Sequence, residues 1–264
     1  GSPEEFSMAN KKVETCYACD EISTSREHVP PKCLFPTELG VNYRKGLITV
    51  PSCDLHNGKK SDDDEFLLAS LAGIIGCNDV GLLHKFTKVN RAIRRSGGRL
   101  LDKVLKEQDV KLYDLPNGGK FDVTWGKPDL QRLQECFSLI GRGLYKHKYD
   151  RVFRGNVICE VLYVPTNHRG WKGYREFAVS EMAKELSNTK VEGHNPDVFQ
   201  WVLGPEDTTG ASCGRLTFYG NLVVYLAFVP KSFDAENHKS LFDIAQSVTK
   251  PVYIQKDGQR YRIN

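Results

Sequence analysis

An α+β fold is what this 264-residue sequence predicts, on three observations. An N-terminal stretch gathers Cys and His into two close pairs, a middle stretch has helical apolar periodicity, and residues 151–264 carry short β-rich runs separated by turn formers. The expected organisation is a tag-like, disordered start over 1–10, a Cys/His module over 11–76, a helical segment with a basic helix over 77–150 and an α+β domain over 151–264. The GSPEEFS that precedes Met8 reads as a cloning remnant and is set aside.

With 40% apolar residues the chain can bury a core of its own. It has no run of 18 apolar residues and no N-terminal apolar signal region, which argues against a membrane span and for a cytoplasmic location. A formal charge of +4 is too mild to predict nucleic-acid binding from composition, so charge distribution has to decide. Eight cysteines could form disulfides, but the C-x-x-C spacing in a chain of this length points to metal in a reducing compartment.

Cys16 and Cys19 have the spacing of a zinc knuckle, in which two thiolates grip one ion across a tight turn. Cys53 and His56 form a second pair that completes a tetrahedral Cys3His set, with Cys33 as the rival fourth ligand. Between the pairs, Glu27-His28 is followed by Val29-Pro30-Pro31, which cannot be helical, and Leu47 to Pro51 reads as the second strand of a hairpin. Residues 53–60 suit a short helix. Ser61 then reads as the N-cap of another, with Asp62, Asp63 and Asp64 on the positive end of its dipole rather than on a metal.

This order, C-x-x-C, EHVPP, then LITVPSC-x-x-H-N-x-x-K, resembles the HNH endonucleases over about residues 16–66. The resemblance implies a zinc-stapled ββα-metal module at the N-terminus of the α+β chain. It casts His28 as general base, and Glu27 and Asn57 as ligands of a catalytic Mg2+ or Mn2+. His56 stands where the family usually has a fourth cysteine, so it is a candidate both for structural zinc and for the signature histidine. The middle asparagine falls to Asn42, with Gly46 the position by strict spacing. The implied partner is DNA and the implied products are a 5′-phosphate and a 3′-hydroxyl. The chemistry is consistent, because a charged phosphodiester needs a base to deprotonate water and a cation to absorb developing charge.

Lys59 and Lys60 follow the motif as candidate phosphate contacts. Residues 62–110 read as helical: Leu82, Phe86, Val89 and Ile93 share an apolar stripe beside Lys85, Lys88, Arg91, Arg95 and Arg99. From Lys85 to Lys106 eight basic residues face one acid, Asp102, a candidate track for a DNA backbone. Residues 113–127 read as loop around the Pro116 to Gly119 turn, and an amphipathic helix follows through Leu130, Leu133, Phe137, Ile140 and Leu144. Cys136 and Cys159 read as core.

In residues 151–264, runs at 157–164, 199–203, 215–219 and 222–229 predict an antiparallel sheet, with Gly220-Asn221 as a tight hairpin turn. Residues 174–186 and 240–248 read as helices. His194, and His168 to Lys172 with Trp171, are polar and aromatic enough for a ligand surface. The layout resembles bacterial HNH proteins of defence or mobile elements. The competing readings are a catalytically inactive zinc-stapled nucleic-acid-binding module and a protein-interaction adaptor; a protein partner or homo-oligomer is not indicated.

Overall fold

Alternation and turn chemistry account for most of the architecture. The computed structural model describes residues 13–37, 40–58, 60–72, 74, 76–96, 99–114, 118, 120–164, 169–232 and 253–262. The start over 1–10, Lys59, Pro116, His168 and residues 240–248 lie outside the described residues, as do the side chains of Lys60 and Trp171.

The N-terminal part is a two-stranded antiparallel hairpin, β1 (Ser25–His28) with β2 (Thr49–Ser52), followed by the short helix α1 (Asp54–Gly58) and then α2 (Lys60–Leu71). Register pairs Glu27 with Val50 and His28 with Thr49. Helix α2 begins before Ser61, which therefore lies inside the helix rather than capping it. Asp62 and Asp63 do occupy its first turn, where carboxylates offset the exposed amides.

Three expectations for the middle segment are corrected. Residues 62–110 are not all helical: α3 (Asp79–His84), a π-helical turn (Lys85–Val89), α4 (Asn90–Arg95) and α5 (Arg99–Val104) give way to a hairpin of β3 (Leu105–Asp114) and β4 (Lys120–Pro128). Residues 113–127 therefore contribute mostly to strands. The sequence marks a turn here, and Phe121, Val123 and Trp125 alternate with polar residues after it, but the first half of β3, Lys106 to Asp109, is charged and polar and equally suits an exposed helix. The apolar stripe is also out of phase, because a π turn holds extra residues and rotates the helix face. Leu82 and Phe86 are 38% and 47% exposed, whereas His84, Val89 and Ala92 are buried.

Helix α6 (Leu130–Tyr149) is the long central element. Asp129 caps it by accepting from the Arg132 amide, and Leu133, Phe137, Ile140 and Leu144 are buried at helical spacing. One face of the C-terminal sheet packs on α6, with Phe137 against Phe218 and Tyr145 against Phe228.

That sheet is antiparallel throughout, in the order β5 (Gly155–Val161), β9 (Leu222–Pro230), β8 (Ser212–Phe218), β7 (Phe199–Leu203), β6 (Glu192–Asn195). Side chains alternate between faces. Phe199, Trp201, Leu216, Phe218, Leu226 and Phe228 join the main core, while Val202, Cys213 and Tyr225 form a second cluster under Leu186 of α7 (Arg169–Leu186). Trp201 is thus a core residue, and so are Cys136 and Cys159. A small hairpin of β10 (Tyr253–Lys256) and β11 (Gln259–Arg262) touches α7, with Tyr261 against Phe177.

The N-terminal hairpin is fastened to this body at several points. The β8–β9 turn brings Tyr219 inward at φ 44°, and its buried hydroxyl donates to the Leu34 carbonyl at 2.8 Å. The Asn195 amide donates to the Lys45 carbonyl, and His194 packs on Gly46, where a Cβ would lie 2.7 Å from the imidazole. A Cβ on Gly143 of α6 would meet Val29 at 2.6 Å, so only glycine allows helix and hairpin to approach so closely.

Candidate metal centre and adjoining cavity

Two tight turns build a Cys/His group that could hold a metal ion. Cys16 and Cys19 flank a turn closed by the Cys16 amide on the Glu21 carbonyl, with the Ala18 amide directed at the Cys16 sulfur at 3.5 Å. Cys53 and His56 open α1, where the Asn57 amide donates to the Cys53 carbonyl. The hairpin brings the turns together, and the four ligand atoms lie within 4.8 Å of one another.

The His56 Nδ1 stands 3.2 Å from the Cys53 sulfur, 3.5 Å from Cys19 and 3.6 Å from Cys16, and the Cys19 and Cys53 sulfurs are 3.7 Å apart. A tetrahedral ion with bonds of about 2.3 Å to sulfur and about 2.0 Å to nitrogen requires edges of roughly 3.5–3.8 Å, so the group can hold a metal such as zinc. Burial alone would raise the Cys53 thiol, but hydrogen bonds from His56, Cys19 and Cys16 outweigh it and pull the thiol down to about 6. Burial pushes Cys19 up to about 11. Cys33 is not in the group; its thiol donates to the Asp64 carbonyl. His56 therefore faces the three thiols with its Nδ1.

Beside this group lies a cavity of about 210 Å³. Glu27, His28 and His56 line it from the hairpin and α1, Asp63, Asp64 and Leu67 from α2, and Arg132, Glu135 and Cys136 from α6. Glu27 is only 6% exposed, and both its carboxylate oxygens accept hydroxyl hydrogen bonds at 3.1 Å, from Tyr17 on one and Ser52 on the other. Each donor is fully buried and is the chain neighbour of a cysteine of this group, Tyr17 following Cys16 and Ser52 preceding Cys53. Burial, then the Glu27 charge, drives the Tyr17 hydroxyl far above its ordinary range, so it stays a proton donor. The Cys136 thiol is pushed up to about 12 by burial first and Asp63 second, which leaves it inert.

His28 is half-buried at the end of β1 and faces the cavity. Asn57 is exposed, donates through Nδ2 to the Ser25 hydroxyl at 2.8 Å, and is not among the cavity-lining residues. Glu27 offers carboxylate oxygens, and Asn57, whose bond to Ser25 uses its nitrogen, offers an amide oxygen. These are hard oxygen donors of the kind Mg2+ and Mn2+ take. Asn42 accepts from the Arg44 amide in its own loop.

The basic stripe lies on the π turn, α4 and the start of α5, where Lys85 and Lys88 are half-buried and Arg91, Arg95 and Arg99 exposed. Arg91 bonds the Thr87 carbonyl. Sequence reasoning alone does not single out Arg132, Tyr17 or Ser52. For Tyr17 and Ser52 a signal exists, since each adjoins a cysteine of the Cys/His group; for Arg132 none does, because its partner Asp63 is 69 residues away. Comparisons with family models, curated proteins and solved structures find no match to this chain. Among the described residues, no helix is long and apolar enough to cross a membrane.

Proposed function

We propose that the chain is a metal-dependent HNH-type endonuclease that hydrolyses DNA phosphodiester bonds. The observation that carries this reading is the sharing of one cavity by His28 and Glu27 directly beside the Cys16, Cys19, Cys53 and His56 group. The strand, strand, helix order of β1, β2 and α1 supports it.

On this reading Cys16, Cys19, Cys53 and His56 would hold zinc and leave it no open position, so that it would serve the scaffold. Glu27 and Asn57 would hold Mg2+ or Mn2+, which when bound supplies positive charge against the phosphate and leaving oxygen. His28 takes one proton from a water, the water oxygen bonds to phosphorus, and the bond from phosphorus to the 3′ oxygen breaks. The departing oxygen takes a proton from solvent, leaving a 5′-phosphate and a 3′-hydroxyl. The hydroxyls of Tyr17 and Ser52 fix the Glu27 carboxylate throughout.

A second reading, an inactive module that binds nucleic acid through Arg91, Arg95 and their neighbours, draws support from the engagement of Glu27 by two hydroxyls and of Asn57 by Ser25. Incubating supercoiled plasmid with the protein and Mg2+ or Mn2+, beside His28→Ala, separates the two. Nicked or linear product from the wild type alone supports the nuclease; intact plasmid that shifts in a gel supports the binding module.

A further inference from the structure

We infer that Arg132 is a phosphate-binding residue of the cavity, donating its Nη1 edge to a non-bridging oxygen of a nucleic-acid phosphodiester. The inference builds on the nucleic-acid reading above but concerns a residue on α6, far from the motif. The cavity that His28 faces is otherwise strongly acidic: Glu27, Asp63, Asp64 and Glu135 all line it. A phosphodiester entering such a space meets these carboxylates, and Arg132 is the one Arg or Lys side chain in the described lining.

Its guanidinium is held in place before any ligand arrives. Nε and Nη2 donate to one Asp63 carboxylate oxygen at 2.9 and 2.7 Å, and Nη2 also donates to the Asp62 carbonyl at 3.3 Å. The plane lies over the buried Phe66 ring at 4.2 Å from its centroid. The side chain is only 26% exposed. These contacts use three of the five N–H donors, and Nη1 makes no hydrogen bond among the described residues. A purely structural tie between α6 and α2 would be complete with Nε and Nη2. A rigid, partly desolvated guanidinium with one unengaged edge is suited to a phosphate, which prefers a fixed fork to a mobile ammonium.

The test is binding of a fluorescent DNA duplex by anisotropy over a salt series, with Ca2+ as the divalent ion, for the wild type, Arg132→Lys, Arg132→Ala and Asp63→Asn. Arg132→Ala is expected to weaken binding about tenfold or more and to reduce the slope of log affinity against log salt by about one. Arg132→Lys should keep most of the slope while losing affinity, because it keeps charge and loses the fork. Asp63→Asn weakens the same helix-to-helix contact by removing its negative charge but leaves the cation, so it should retain the full slope. Thermal melting monitors folding, and if Arg132→Ala does not fold, Arg132→Lys against Asp63→Asn decides. The inference is overturned if both Arg132 variants bind with wild-type affinity, or if Asp63→Asn loses as much as they do. A wild type that binds duplex but cuts nothing with Mg2+ or Mn2+ defeats the nuclease reading and leaves this measurement intact. A wild type that binds no duplex at all overturns both.

Discussion

The Cys3His group and the cavity that Glu27 and His28 share sit side by side and are built on different logic, and the candidate Asn57 lies outside that cavity. Each half of the metal group is a local turn, so two short segments carry all four ligands and the hairpin needs only to bring two preformed pairs together. The other set depends on neighbours at every point: Glu27 on Tyr17 and Ser52, Asn57 on Ser25, and the cavity around His28 on α2 and α6. Ligand spacing therefore encodes the first almost completely, whereas the second is encoded mainly in tertiary packing. The bridge between them is covalent, because the residues that clamp Glu27 are chain neighbours of Cys16 and Cys53.

The largest effect is expected from dismantling the metal group. Cys16→Ser with Cys53→Ser should reduce bound metal from about one ion per chain to none, and should cost several kcal/mol of stability, since binding energy at such sites is folding energy. Elemental analysis and chemical denaturation check this; a double variant as stable as the wild type would detach the group from the fold.

Next is the opposite outcome, loss of chemistry with fold retained. His28→Ala should lower plasmid cleavage by about 10²–10⁴-fold while the melting temperature barely changes. Cleavage that survives would move the base elsewhere.

The bridge itself should give an intermediate result. Tyr17→Phe and Ser52→Ala each remove one hydroxyl from a buried carboxylate and should destabilise by about 1–3 kcal/mol, measured by urea unfolding. Combining each with Glu27→Gln should recover part of that loss, because an amide needs the donors less than a carboxylate does. Additive losses in the double variants would mean that the hydroxyls stabilise something other than Glu27.

The smallest effect is expected on the basic face, where Arg95→Ala should weaken duplex binding only a few-fold and lower the salt slope by about one. An unchanged slope would make the stripe a solvated face.

What can be read in the sequence follows from the same contrast. The Cys pairs, the β8–β9 hairpin at Gly220-Asn221 and the α6 stripe are all patterns contained within a single segment. The β3–β4 hairpin escapes a sequence reading because residues such as Lys106, Asp109 and Lys111 suit an exposed helix and an exposed strand equally, and only pairing across the turn decides. The exposure of Leu82 and Phe86 escapes it because a π turn changes the period on which the stripe is counted. Arg132 lies in plain view at the start of an amphipathic helix, yet nothing nearby marks its carboxylate partner.

The Tyr219 hydroxyl on the Leu34 carbonyl and the glycine at 143 against Val29 bear on how the protein can be taken apart. A segment ending after α2 would lose the aromatic plug on Leu34 and the helix backbone packed on Val29, next to His28. The N-terminal unit is therefore no portable cassette, and transplanting it into another scaffold would require carrying α6 and the β8–β9 turn along with it.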